Sequence, residues 1–156
     1  MSQALSSYSS RLPWLDAWVR AGHPSELREK AAERISVFAD SPMKTSLGLR
    51  RLWLRAFPAE FFDQVELVTR LQKLELIINC LEEFPSGIGR CRGLTELVLD
   101  NNCFRLVPSE IGSLTMLTKL SFHSSYLRGC LKIKIASCHP CDHQPCHAQI
   151  DPRFAA

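Results

Sequence analysis

No apolar run in this chain approaches the roughly 20 residues needed to cross a bilayer, so no membrane span is expected. Nor is there a block of basic residues. The formal net charge is only +3 and the lysines and arginines are scattered, which argues against a nucleic-acid partner. The first residues, Met1 to Ser10, lack the basic segment and apolar stretch of a cleavable secretory signal. An even set of cysteines is missing too: there are seven, Cys80, Cys91, Cys103, Cys130, Cys138, Cys141 and Cys146. An odd count with no export signal reads as reduced thiols rather than a disulfide framework. These absences point to a reducing cytoplasm, with export by a signal-independent route left open. What is present is an ordinary balance, 46% hydrophobic and 22% charged over 156 residues, enough for one modest domain.

The strongest positive signal is an internal repeat. Leu71, Leu74, Leu76, Asn79, Leu81, Phe84, Pro85 and Ile88 recur as Leu94, Leu97, Leu99, Asn102, Phe104, Val107, Pro108 and Ile111, each displaced by 23 (94 − 71, 111 − 88). Leu117, Leu120, Phe122, Ser125 and Leu127 begin a third set. In Leu-x-x-Leu-x-Leu the last two leucines alternate as in a strand and share one face. Asn stands where the chain leaves the strand, where its amide can satisfy backbone groups that the turn leaves open. Proline then stops sheet continuation, and Pro-x-x-Ile-Gly forms the return side. One unit cannot bury its own leucines, but stacked units can.

This pattern resembles the leucine-rich repeat family, and Phe84-Pro85-Ser-Gly-Ile88-Gly89 with Val107-Pro108-Ser-Glu-Ile111-Gly112 looks like its 23-residue intracellular Ras-group class. The resemblance implies an α/β fold: a short solenoid with parallel strands on the concave face and an N-terminal helical cap. The expected organisation is a flexible N-terminus at 1–10, the helical cap at 11–46, repeats at 47–128 and an irregular Cys/His-rich tail at 129–156.

Two helices are expected before the repeats. Leu12 to Ala21 carries Trp14, Leu15, Trp18 and Val19 on adjoining positions, with Gly22 to end it. Pro24 suits the first turn of the second, whose Leu27, Ala31, Ile35 and Phe38 form an apolar stripe that ends at Ser41-Pro42. Leu47-Gly-Leu49-Arg-Arg-Leu52-Trp-Leu54-Arg-Ala-Phe57-Pro58 reads as a shortened first repeat, its proline following Leu54 by 4 where Pro85 follows Leu76 by 9. Trp14, Trp18, Glu26-Leu-Arg28-Glu29 and Ala31-Ala-Glu-Arg34-Ile35, followed by this repeat, are similar to the leading region of bacterial IpaH-class effectors. Those end in a cysteine-dependent ubiquitin-ligase domain. The likeness implies a bacterial, host-directed role. It transfers no nucleophile, because that class uses repeats of about 20 residues and its catalytic domain needs more chain than follows Leu127. The chain is expected not to be an enzyme.

Alternation along the strands names the open face. Arg51, Trp53 and Arg55 are expected to flank the short repeat, then Lys73, Glu75, Ile77 and Ile78, then Glu96, Val98, Asp100 and Asn101, then Lys119, Ser121, His123 and Ser124. Trp53, Glu75, Val98 and Ser121 would form one column, and Arg55, Ile77, Asp100 and His123 another. Apolar residues among charges on such a face suit a protein partner, with Trp and Arg as favoured anchors. The bland alternative is that the cap or tail folds over Trp53, or that scattered apolar residues mean nothing. His123 has no acid or nucleophile set beside it by sequence, so it reads as a surface histidine.

After Leu127 the period stops. Leu131-Lys-Ile133-Lys-Ile135 alternates like an edge strand. Cys138 and Cys141 have zinc-knuckle spacing, and His143, Cys146 or His147 would complete four ligands. An irregular tail or a truncated reading frame explains the same residues. Cys80 and Cys103 share one repeat position and are expected to be neighbours. The principal expectation is a module that binds another protein through its concave face. The alternatives are a ligase-type effector fragment without its catalytic domain and a small zinc-binding module. A poorly covered last repeat is one that a second copy could cover as a homodimer.

Overall fold

Four three-residue strands, one per repeat, make a parallel sheet in chain order. β1 is Ser46–Gly48, β2 Lys73–Glu75, β3 Glu96–Val98 and β4 Lys119–Ser121. The structure is a computed structural model that describes residues 12–104 and 107–123. Leu74 pairs with Leu97 and Leu97 with Leu120, so the 23-residue period of the sequence is the register of the sheet. The fold is α/β and like a leucine-rich repeat.

The first repeat departs from the sequence expectation. Leu47, not Leu52 or Leu54, pairs with Leu74, an offset of 27 (74 − 47). On that offset Leu49, Leu54, Phe57, Pro58 and Phe61 coincide with Leu76, Leu81, Phe84, Pro85 and Ile88. Pro58 follows Leu49 by 9, as Pro85 follows Leu76, so the repeat is not shortened. It is four residues longer, and the extra length falls after Phe61. There a 3-10 turn, Ala59–Asp63, leads into the short helix α3, Val65–Arg70, where the next repeat has only the turn Ile88–Arg90.

The core is built from columns that run through the repeats. Leu47, Leu74, Leu97 and Leu120 form one and Leu49, Leu76, Leu99 and Phe122 another, all buried. Each such leucine contributes about 1.5–3 kcal/mol on burial, and none could do so without the neighbouring repeat. On the return side Phe61, Ile88 and Ile111 form a third buried column. Gly87, at φ 86°, lets the chain pass Phe62; a Cβ there would lie 2.8 Å from the Phe62 Cβ.

Two helices precede β1. α1 is Trp14–Arg20 and α2 is Arg28–Asp40. The α2 stripe is as the sequence implies: Ala31, Ile35 and Phe38 are fully buried. Its start is not, because Pro24 lies outside the helix. Leu27 is non-helical, with φ −94° and ψ 51°, and its N–H donates to the Leu52 carbonyl at 2.9 Å. At the other end Arg70 of α3 donates to the carbonyls of Phe38 (2.5 Å), Ser41 (2.5 Å) and Lys44 (2.9 Å). Its guanidinium also lies 4.2 Å over the Phe38 ring. One side chain thus satisfies the carbonyls that the end of α2 leaves open. Phe38 in turn meets Phe61 at 6.2 Å, and Phe61 meets Phe57 at 5.2 Å. The aromatic cluster joins α2 to the first repeat.

A candidate protein-binding face

The turns that end β2 and β3 each carry a buried asparagine, Asn79 and Asn102. Asn79 accepts N–H bonds from Leu52 and Leu54 (3.1 Å each) on its Oδ1. Its Nδ2 donates to the carbonyls of Leu49 (2.7 Å) and Leu76 (3.0 Å). Asn102 repeats the arrangement one unit on, accepting from Leu81 N–H (3.2 Å) and donating to the Leu76 and Leu99 carbonyls (2.8 Å each). Each asparagine therefore completes the backbone of the repeat before its own. The equivalent position in the first repeat is Leu52 (79 − 27), which is buried and has no earlier repeat to serve.

Glu26 links the helices to that first turn. Its carboxylate accepts the N–H of His23 (2.6 Å) and of Arg55 (2.7 Å) and pairs with Arg28 (3.2 Å). Its side chain is only 1% exposed. Burial pushes its pKa up, but the Arg55 and His23 N–H groups and the Arg28 charge outweigh it, and the net shift is downward. Sequence gives no hint of this role: a carboxylate two residues before a helix does not point to a backbone N–H 29 positions away.

The open side of the sheet carries three columns. The outermost is a charge ladder: Lys73 lies 3.4 Å from Glu75 and 3.2 Å from Glu96, and Lys119 lies 3.7 Å from Glu96. The Glu96 and Glu75 carboxylates raise the Lys73 pKa. The second column is Gly48, Glu75, Val98 and Ser121. Val98, expected to be exposed, is 6% exposed and does not offer a contact surface. The third column is Arg50, Ile77, Asp100 and His123; the backbone ladder extends past the labelled strands, with Arg51 N–H on the Ile77 carbonyl at 3.0 Å and Asn101 N–H on the His123 carbonyl at 2.7 Å.

The expected placement of Trp53 and Arg55 in these columns is corrected by the 27-residue offset. Gly48 stands beside Glu75 where Trp53 was expected, and Arg50 beside Ile77 where Arg55 was expected. Trp53 matches Cys80 instead (80 − 27), in the turn beyond the strand. It remains 57% exposed, so neither helix folds over it. Arg51, Ile78 and Asn101 share the next position, and all three have positive φ: 57°, 56° and 55°. Asparagine tolerates that conformation, whereas a β-branched isoleucine there is strained.

Asp100, Ser121 and His123 come together. Asp100 Oδ1 accepts the Ser121 hydroxyl (2.6 Å) and the His123 backbone N–H (2.7 Å) and lies 3.1 Å from His123 Nδ1. Burial pushes the Asp100 pKa up, yet these three contacts more than offset it and hold the carboxyl below its ordinary value. Ser121 Oγ lies 2.9 Å from the same Nδ1. In a Ser–His–acid triad the nucleophile and the acid sit on opposite ring nitrogens. Here both face Nδ1 and the hydroxyl donates to the carboxylate, which is not the triad arrangement.

Among the described residues no group of three or more His, Cys, Asp or Glu side chains is placed to hold a metal. Cys138, Cys141, His143, Cys146 and His147 lie outside the described residues, as do Ser124, the 131–135 segment and the third Leu set beyond His123. Cys80 and Cys103 are both half-buried, and the Cys80 thiol is pushed up by burial and then by the charge of Cys103, as neighbouring repeat positions would require. No helix among the described residues is long and apolar enough to cross a membrane.

No protein-family model matches the chain, and no curated protein matches it. Among solved structures it is similar to the leucine-rich repeat domain of the type III effector XopL, at 26% identity and a TM-score of 0.49, covering 78% of this chain and 46% of that one. The chain therefore spans less than half the length of that structure.

Proposed function

We propose that the chain is a short leucine-rich repeat solenoid, capped by α1 and α2, that binds another protein through the open face of its sheet. The observation that carries this is the face itself. Ile77, in the Asp100 column, and Ile78 after it are half-buried on a face that also carries a paired charge ladder, and in the adjoining turn stands the exposed Trp53. Arg51, Trp53, Arg55, Glu75, Ile77, Asp100, Ser121 and His123 are the proposed contact residues; Val98, being buried, is not among them. The hydrogen-bonded Asp100 cluster supplies rigid polar groups, which suit recognition better than chemistry, and we assign the chain no enzymatic activity.

The resemblance of the leading region to IpaH-class effectors supports a second part of the proposal: a host-directed bacterial protein, or a relative of ligase-type effectors, acting in the cytoplasm of the cell it reaches. The test is affinity capture with the immobilised full chain, followed by mass spectrometry. Proteins retained by the wild type are expected to be lost with Ile77→Asp and kept with Met116→Asp, a change at an exposed site off this face. Retention of the same proteins by Ile77→Asp overturns the proposal.

A further inference from the structure

The turn after β1 differs from its counterparts in charge. Arg50, Arg51 and Arg55 are exposed around Trp53, and exposed Arg34 of α2 reaches across to the Arg50 carbonyl at 3.4 Å. Among the described residues none of these four guanidiniums makes an ion pair. The carboxylate tied to this turn, Glu26, is buried and already taken up by two backbone N–H groups and Arg28. The lysines of the sheet, by contrast, are neutralised within their own ladder.

The backbone adds an independent observation. Arg51 shares its φ of 57° with the equivalent Ile78 and Asn101, but Trp53, at 55°, has no positive-φ counterpart at Cys80 or Cys103, and the conformation disfavours both residue types. Asn101 shows that the turn accepts asparagine at the position of Arg51. Non-glycine residues held at positive φ concentrate at functional sites, where the side chain is worth more than the stability lost.

We propose that this turn is a docking site for an acidic, extended segment of a partner protein, with its carboxylates on Arg34, Arg50, Arg51 and Arg55 and an apolar side chain on Trp53 and Ile78. Arginine suits this role because its planar fork binds carboxylates in bidentate fashion and its charge persists at every physiological pH. Carboxylates across from four cations that have no ion pair among the described residues also steer the encounter. The inference rests on the reading that this side of the molecule binds protein, and it names the chemistry of what binds.

The experiment is selection of displayed random linear peptides on the full chain, followed by fluorescence anisotropy of the enriched peptides. Enrichment of Asp and Glu beside an apolar residue is expected. Binding should weaken with salt and fall roughly tenfold or more with Arg51→Glu and with Trp53→Ala. Arg51→Asn separates recognition from folding: it should raise the melting temperature and still weaken the peptide. Enriched peptides without acidic bias, or acidic ones unaffected by Arg51→Asn and Arg51→Glu, overturn the inference. If those peptides are instead lost with Ile77→Asp, the wider protein-binding reading stands while this one falls. If no peptide responds to either face, both fall. Tighter binding of phosphatidylserine vesicles or of a single-stranded oligonucleotide than of any peptide also overturns it.

Discussion

The first turn and the two that follow do the same job with opposite chemistry. Asn79 and Asn102 are buried polar side chains whose hydrogen bonds run mainly to the preceding repeat. Leu52 holds the equivalent place with an apolar side chain, and the link to preceding chain is made by Glu26 and by the Leu27 N–H. A buried amide is worthwhile only where open backbone groups await it; where none exists, leucine is the better residue.

This contrast is easiest to break at Asn79. Replacement by leucine leaves the Leu52 and Leu54 N–H groups and the Leu49 carbonyl buried without partners, and should lower stability by about 3–5 kcal/mol, read from urea unfolding. The reciprocal change, Leu52→Asn, should also destabilise, by about 2–3 kcal/mol, because it buries an amide with no equivalent partners; a stabilised Leu52→Asn would show that the two positions are interchangeable after all. Glu26→Gln should cost about 1.5–3 kcal/mol, since it removes a charged acceptor from two backbone N–H groups and Arg28. It should also flatten the acid limb of the stability curve. Because the folded-state pKa of Glu26 lies below its ordinary value, its contribution is fully present above the ordinary glutamate range and is lost as pH falls through the lowered value. Melting temperatures of the wild type and the variant should therefore converge on acidification. The smallest effect is a gain: Ile78→Asn, copying Asn101, should stabilise by about 1 kcal/mol by relieving a β-branched residue at positive φ.

Much of the fold could be read from the sequence because the repeat is self-consistent. Leu94, Leu97 and Leu99 each lie 23 residues from a leucine, and the register of β2 and β3 follows. The first repeat misled because Leu49-x-x-Leu52-x-Leu54 fits the leucine motif by accident. The signal that corrects it was present: Leu54, Phe57 and Pro58 recur together at 27 as Leu81, Phe84 and Pro85. It is overlooked when one fixed period is imposed on every unit. That slip put Trp53 and Arg55 on the strand face, where the 27-residue offset places Gly48 and Arg50. The burial of Val98 was not legible, since alternation alone assigns it outward and how much of it is covered depends on packing that a pattern does not specify. The meeting of Asp100, Ser121 and His123 was half legible. Their columns follow from the period, but the choice of a shared ring nitrogen, which separates a fixed cluster from a triad, depends on rotamers that no pattern specifies.

The backward reach of the asparagines has a consequence for synthesis. A chain emerging from a ribosome presents the turn at Leu52 to Leu54 before residue 79 has been added, so completion of each unit must lag by one unit behind its own translation. A nascent chain that ends before Asn79 should remain open to protease at the first turn even with Leu47 and Leu49 in place, whereas one extended through Asn102 should close it.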